Sequence, residues 1–415
     1  NNIFPGDVFV LNAPFNGGTH LPDVTVITPV FEENGDKIIF FVASRGHHAD
    51  IGGKTPGSGP PDSKHIDEEG VLIDNFKLFE RGVFKEKEMI KILSSGKYPC
   101  RKIEHNMADL AAQVAANKTG ISEINAMIKQ FGIDTVHAYM KHVQNNAEEC
   151  IRNAIINLND GYYEYELDNG EFIRVKIQID KTKREALIDF TGTAEKNQFN
   201  YNAPKAVCHA VILYVFRTLV GKNIPLNEGC FKPIKIRIPD NSMINAKYPS
   251  AVIAGNTEVS QLTCNALFGA LGVIAGSQAT MNNFIWGNER IQNYETICGG
   301  TGAGSFFDGT SAIQTHMTNT RSTDPEILEA RFPVRLEEFS IRKNSGGNGK
   351  YKGGDGVTRK LRFLEPMTVT TLCSHRKVPP FGVNGGESGK CGREWLKTAT
   401  GKLIKLKGND SCEVK

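Results

Sequence analysis

The sequence predicts a mixed, multi-domain α+β chain, and three patterns predict it. Residues 8–44 and 162–190 are rich in β-branched and aromatic residues and alternate like strands. Residues 106–158 switch to a helical period, and after 331 short strand-like runs are separated by Gly-rich turns. A length of 415 residues suits roughly two to three domains. The expected division is a β-rich region over 1–105, a helical segment over 106–158, an α/β region over 159–330 and a β-rich region over 331–415.

The elements follow in order. "VFVLNAPF", "DVTVITPVF" and "KIIFFVAS" read as strands, and "EENGDK" between the last two holds Asn34-Gly35, a two-residue hairpin signal. A Gly/Pro-rich loop, "IGGKTPGSGPPDS", covers 51–63, a length more often functional than incidental. Ile121, Ile124, Ile128 and Phe131 share one helix face that Gly132 ends. Asp134 is expected to cap a second helix carrying Val136, Met140, Val143, Ala147, Ile151 and Ile155 inward, with His137 and His142 solvated. Strands resume with "EFIRVKIQID" and "EALIDF", interleaved with helices near 204–221 and 258–276. "EWLKTATGKLIKLKG" reads as a hairpin whose lysines line a solvated face.

Composition excludes several classes. Apolar residues at 40% and charged residues at 23% support a sizeable core. A net charge of +3 is small for this length and points to neither nucleic acid nor a membrane surface. "AVCHAVILYVF" at 206–216 is too short to span a bilayer and reads as a buried helix. Nine cysteines, an odd number with no C-x-x-C pair, argue for free thiols in a reducing, cytoplasmic compartment. The chain opens without Met and stops inside a strand-like run, so a piece of a longer protein is expected.

Two polar clusters interrupt the strands: "GGTHLPD" at 17–23 and "HHAD" at 47–50. A two-residue turn at Asn34-Gly35 places Asp23 opposite Gly46, Pro22 opposite His47 and Leu21 opposite His48. Opposed residues in an antiparallel pair lie about 4.5–5.5 Å apart at Cα. His20, Asp23 and His47 then converge at the open end of one hairpin. Such a set suits a divalent first-row metal, Zn or Mn, with positions left for water. His47 and His48 point to opposite faces, so one alone can serve. The plainer reading is two polar loops whose histidines cap strand ends.

"PGDVFVLNAPFNGGTHLPDVTVITPVF", "VASRGHHADIGGKTPGSGPPDS", "EEG" at 68–70, "AGNTEVSQ", "GGTGAGSFFDGT" and "SGGNGKYKGGDGVTR" resemble the hydantoinase B/oxoprolinase family. "NAPFNGGTH", "QVAANKTGI" and "HMTNTRSTDPEILEARFPV" are similar to its oxoprolinase branch. The resemblance implies a machine of two halves. A hydantoinase A-like, kinase-like half uses ATP and Mg to phosphorylate a small lactam, and the half resembling this chain hydrolyses the activated ring. For the oxoprolinase branch that means 5-oxo-L-proline to L-glutamate, in an oligomer. It also implies that His20, Asp23 and His47 hold the metal, with a further acidic ligand from a segment this chain lacks. The alternatives are a hydantoinase B or ketone-carboxylase subunit acting on another substrate, and a non-catalytic scaffold.

Other candidates are weaker. Asp50 enters the Gly/Pro loop and is the candidate for moving protons, or else caps the loop by bonding backbone N–H groups. "GGTGAG" at 299–304 fits a dinucleotide fingerprint poorly, and "GGESGKCG" has the wrong spacing for a P-loop, so no ATP site is expected here. The glycines at 299–304 are expected to bring N–H groups near an anion. Arg321 in "HMTNTR" is the candidate for gripping a substrate carboxylate, or else pairs with Asp324 or Glu326. Glu258 is read as a helix cap.

Overall fold

Five N-terminal strands form the sheet that later carries the site: β1 (Val8–Leu11), β2 (Asp23–Phe31), β3 (Ile38–His47), β4 (Phe76–Glu80) and β5 (Val83–Phe84), in the order β3-β2-β1-β4-β5. The structure is a computed structural model and describes residues 2–32, 35 and 37–414. Asn34, half of the expected turn, lies outside the described residues. In the β2–β3 ladder Asp23 faces His47 and Val24 faces Gly46. This is one residue off the expected register. The cause is a bulge: Val30 faces Phe40 but Phe31 faces Ile38, and one extra residue shifts every pair beyond it.

Helices α1 (Glu86–Leu93), α2 (Ile103–Phe131) and α3 (Ile133–Ile155) follow. Gly132, at φ 80°, ends α2 and precedes α3, so it takes the boundary role expected of Asp134, which sits in the first turn of α3. Leu110 and Val114 of α2 join Val8, Val10, Val24, Val26 and Leu78 in one core. Polar residues complete that seam. Gln113 Nε2 donates to Val24 O at 2.8 Å, and Asn117 Nδ2 to Val26 O at 3.1 Å, so "QVAANKTG" staples α2 to the hairpin. On α3, Val136, Ala147, Ile151 and Ile155 are buried, whereas Met140, Val143 and the α2 residue Phe131 are exposed. Only the later turns of α3 enter the next core, which explains the difference.

That core lies under β6 (Gly161–Glu166), β7 (Phe172–Asp180), β8 (Glu185–Asp189) and β9 (Ile234–Arg237), a sheet in that order. The parallel β8–β9 pair needs a long crossover, which α4 (Lys205–Thr218) provides. Val207, Val211, Ile212, Val215 and Phe216 of α4 are buried beside α5 (Ser260–Leu271).

Beyond it come β10 (Asn283–Gly287), β11 (Gln292–Thr296), α6 (Pro325–Arg331), β12 (Val334–Ile341), β13 (Val357–Phe363) and β14 (Met367–Leu372). The chain closes with β15 (Glu394–Lys397), β16 (Leu403–Leu406) and β17 (Asn409–Val414). β15 and β16 form the expected hairpin. The sheet β11-β10-β14-β17 draws strands from both sides of residue 331, over a third core of Trp286, Leu328, Val334, Met367 and Val369. All nine cysteines are free. Among the described residues no helix is long and apolar enough to cross a membrane.

Candidate active site

The site begins at the open end of the β2–β3 hairpin. A turn at 12–20 delivers His20, and it needs glycine at 18, where a Cβ would stand 2.3 Å from Asn12 O. His47 Nδ1 donates to Asp23 Oδ1 at 2.8 Å, and the His20 and His47 rings stack with centroids 5.9 Å apart. Burial holds the His20 imidazolium unfavourable and lowers its pKa to about 4, against the opposing pull of Asp23. Burial raises the Asp23 carboxyl, but the His47 hydrogen bond and nearby positive charge outweigh it and keep the group below its ordinary value. His20 is therefore neutral and Asp23 ionised at neutral pH.

His48 faces the other way. Asn106 Nδ2 donates to its Nδ1 at 3.0 Å, which leaves Nε2 to donate to Gln113 Oε1 at 3.2 Å. Both ring nitrogens are used in fixing α2, so His48 is structural.

The second wall comes from "AGNTEVSQ". Residues Gly255–Val259 form a single π-helical turn leading into α5, a wider turn that recurs at functional sites. It aims Asn256 outward, where Nδ2 donates to Asp23 Oδ2 at 3.1 Å. Both oxygens of Asp23 are thus held, one by His47 and one by Asn256. Glu258, two residues on, points into the protein and is fully buried. It accepts from Met281 N at 3.1 Å, Asn283 Nδ2 at 2.8 Å and Ser374 Oγ at 2.7 Å. Desolvation outweighs those bonds and raises its pKa to about 7. Glu258 ties β10 to the segment after β14 and does not cap a helix, the role expected of it: it lies inside the π-turn, facing inward. Tyr294 on β11 donates to Asn283 Oδ1 at 2.7 Å. Burial raises the Tyr294 phenol, and the charges of Glu258 and Asp23 add to the rise.

The remaining candidates fall elsewhere. Asp50 Oδ1 accepts from Gly52 N at 2.9 Å and Arg101 N at 3.2 Å. Its Oδ2 accepts from Gly57 N at 3.2 Å and Arg101 Nη1 at 2.8 Å. Both oxygens are committed to holding the Gly/Pro loop, the plainer of the two readings given to this residue. Glu69 anchors the same region, taking Val252 N, Ile253 N and the Ser63 hydroxyl, and burial raises its pKa to about 7. Arg321 is exposed and makes no ion pair among the described residues, so neither Asp324 nor Glu326 claims it. Asp324 instead caps α6 through Glu326 N.

The glycines at 299–304 let chain segments approach closely, and the N–H groups of Gly299 and Gly304 donate to Ile313 O and Phe307 O. A Cβ on Gly302 would lie 1.8 Å from Ala275 O, and one on Gly300 2.1 Å from Gly354 O. Gly346 and Gly354 are crowded in the same way by Gly353 O and Thr310 O.

The donors His20, Asp23 and His47 fit a divalent first-row ion in kind: two imidazoles, one of them held neutral, and an ionised carboxylate. With Nδ1 of His47 bonded to Asp23, no group of three or more His, Cys, Asp or Glu side chains among the described residues stands in metal-holding geometry. Asn256, Asn283 and Tyr294 were not singled out in the sequence. "AGNTEVSQ" was visible as a block, but nothing local marks the two strand residues.

Comparison with known proteins adds to this. The family model for hydantoinase B/oxoprolinase matches residues 1–415. The chain is 46% identical to 5-oxoprolinase 1 of Arabidopsis thaliana, over 100% of its own length and 34% of the relative's. It is 43% identical to 5-oxoprolinase of Dictyostelium discoideum, over 100% of its length and 33% of the relative's. The chain thus spans about a third of the length of these two relatives. Among solved structures, the ATP-dependent caprolactamase from Pseudomonas jessenii aligns with a TM-score of 0.85 at 22% identity, covering 99% of this chain and 75% of that one. That likeness concerns the fold.

Proposed function

The chain belongs to the hydantoinase B/oxoprolinase family, and from that premise we propose that it opens an ATP-activated cyclic amide, 5-oxo-L-proline in the first instance. ATP and Mg are used in a hydantoinase A-like half, in the same polypeptide, which the length of these two relatives supports, or in a separate one. The observation that carries the reading is the convergence of His20, Asp23 and His47 at one hairpin end, with Asn256 holding the far oxygen of Asp23.

A lactam is a resonance-stabilised amide with a poor leaving group, and phosphorylating its oxygen makes the ring carbon electrophilic. His20, Asp23 and His47 would hold a divalent ion, Zn or Mn, which when bound brings the pKa of water toward neutrality. The chain's own residues do the rest. Burial keeps His20 unprotonated and so free to donate its lone pair. Asn256 fixes the rotation of Asp23, as outer partners of ligands do. Asp50 keeps the Gly/Pro loop in place through Arg101 and backbone N–H groups, and so acts on the site by positioning.

His20→Ala in the complete enzyme tests this reading. Metal content by elemental analysis is expected to fall sharply, and ATP-dependent glutamate release with it, while far-UV circular dichroism stays native. Unchanged metal content would overturn it. A second reading, another lactam as substrate, is favoured by the fold shared with the caprolactamase. It is separated from the first by comparing ring sizes in the same assay.

A further inference from the structure

The orientation of one buried amide decides what Tyr294 can offer to a ligand. Asn283 Nδ2 lies 2.6 Å from Leu372 O and 2.8 Å from Glu258 Oε1. A backbone carbonyl only accepts, so the atom facing Leu372 must be the amide nitrogen, and the flip ambiguity of Asn is removed. Asn283 is 1% exposed, so no water competes for that choice. Its Oδ1 then faces the Tyr294 hydroxyl at 2.7 Å and must accept. A phenol has a single proton, and this one is committed inward.

What remains on the Tyr294 oxygen is lone-pair density with no partner among the described residues. The ring is open to the surface, since Tyr294 is 39% exposed, and the phenol end is its more buried part. It is also linked to the hairpin trio: its partner Asn283 bonds Glu258, two residues from the Asn256 that holds Asp23. Thr296, two residues along β11 and so on the same face, bonds Thr320, the residue before Arg321.

We propose that Tyr294 is a substrate-binding residue that accepts a hydrogen bond from the ring N–H of a cyclic amide. The assignment rests on the reading of this site as a lactam site, and it adds a selection rule. A ring bearing N–H completes the lone pair, and phosphorylating the lactam oxygen leaves that proton on the ring nitrogen, so the activated ring presents it too. An isosteric ring with oxygen in that place sets two acceptors against each other, and sites built around one hydrogen bond reject analogues that lack it. Glu258 acts through Asn283, as a positioning residue: it helps hold the amide in the orientation that turns Tyr294 into an acceptor.

The test compares 5-oxoproline with its lactone isostere, 5-oxotetrahydrofuran-2-carboxylate, binding to the full chain by calorimetry or ligand-observed NMR. The wild type is expected to favour the lactam by about tenfold, the scale of one net hydrogen bond, and Tyr294→Phe should bring the ratio near one. A wild-type ratio near one, an unchanged ratio in the variant, or no lactam binding at all would overturn the assignment. If Tyr294→Phe does not fold, the wild-type ratio alone decides. Ring opening by the complete enzyme is scored separately. Lactam selectivity without glutamate release would sink the proposed function and leave Tyr294 standing, and glutamate release without selectivity would do the reverse.

Discussion

Two parts of this molecule carry conspicuous sequence motifs, and they use them for different ends. At the hairpin corner, side chains distant in sequence meet: His20 stacks on His47, Asp23 bonds His47, and Asn256 reaches Asp23 from another region of the chain. In the glycine-rich stack, formed by 299–304, 309, 346–347 and 353–354, what matters is that side chains are missing. At Gly300, Gly302, Gly309, Gly346, Gly347 and Gly354 a backbone carbonyl oxygen occupies the volume a Cβ would need. A motif made of donors could be read as side chains that converge, whereas a motif made of glycines, read as an anion cradle, is seen in the fold as close packing of chain segments.

The largest effect that could break this comparison is expected in the stack. Gly302→Ala drives a methyl to 1.8 Å from Ala275 O, a backbone atom that cannot swing aside. Overpacking of that kind should cost about 4 kcal/mol or more, read as a fall in the urea midpoint or as insoluble protein. Gly385 is the control: its φ of 86° strains any other residue, but its Cβ direction is open. Gly385→Ala should cost about 1–2 kcal/mol. Equal losses would mean that backbone conformation, not close approach, selects glycine in the stack.

A second prediction sharpens the polar side. Glu258 and Glu69 are both buried carboxyls raised to about 7 from 4.5. The folded state therefore keeps its proton while the unfolded chain loses it, so stability falls as pH rises from about 4.5 to 7 and is level outside that window. For Glu258 the penalty above pH 7 is about 3 kcal/mol. Glu258→Gln should remove about 2.5 kcal/mol of the difference between stabilities measured at pH 5 and pH 8, most of that penalty. The Ser374 hydroxyl can turn to accept from the new amide, so the variant should fold. Glu69→Gln should instead destabilise at every pH, because both its oxygens accept backbone N–H groups and an amide nitrogen cannot. A pH slope unchanged in Glu258→Gln would show that this carboxyl does not titrate in the window.

How much of this was legible follows from the range of each interaction. Strand alternation and helical period are local, so β1 to β3, β6 to β8, α4 and the β15–β16 hairpin could be read directly. The hairpin argument brought His20, Asp23 and His47 together with a register one residue off, because a bulge at Val30/Phe31 leaves no mark in apolar alternation. Met140 and Val143 fit the helical stripe but are exposed, since period says which face is apolar and not what covers it. Asn256, Asn283 and Tyr294 were invisible for a further reason. Their partners lie on other elements, and Asn256 reaches Asp23 across 233 residues of sequence.

Arg321 carries the smallest expected effect, and it asks whether recognition extends from the polar corner toward the stack. The chain leaves the stack at Ile313, which pairs with Gly299, and passes Thr320 against Thr296 before reaching Arg321. Arg321 is exposed and free of ion pairs among the described residues, so its guanidinium is available. 5-Oxoproline carries a carboxylate, and a planar guanidinium matches that group bidentately where an ammonium cannot. Arg321→Lys should cost about 2 kcal/mol in kcat/KM with 5-oxoproline, the scale of a hydrogen bond to a charged group. The loss should nearly vanish with 2-pyrrolidinone, the same ring without a carboxylate. Measured in the complete enzyme with ADP and ring-opened product followed separately, a loss confined to 5-oxoproline assigns the carboxylate to Arg321. Equal losses on both substrates would remove Arg321 from carboxylate recognition and confine recognition to the hairpin corner.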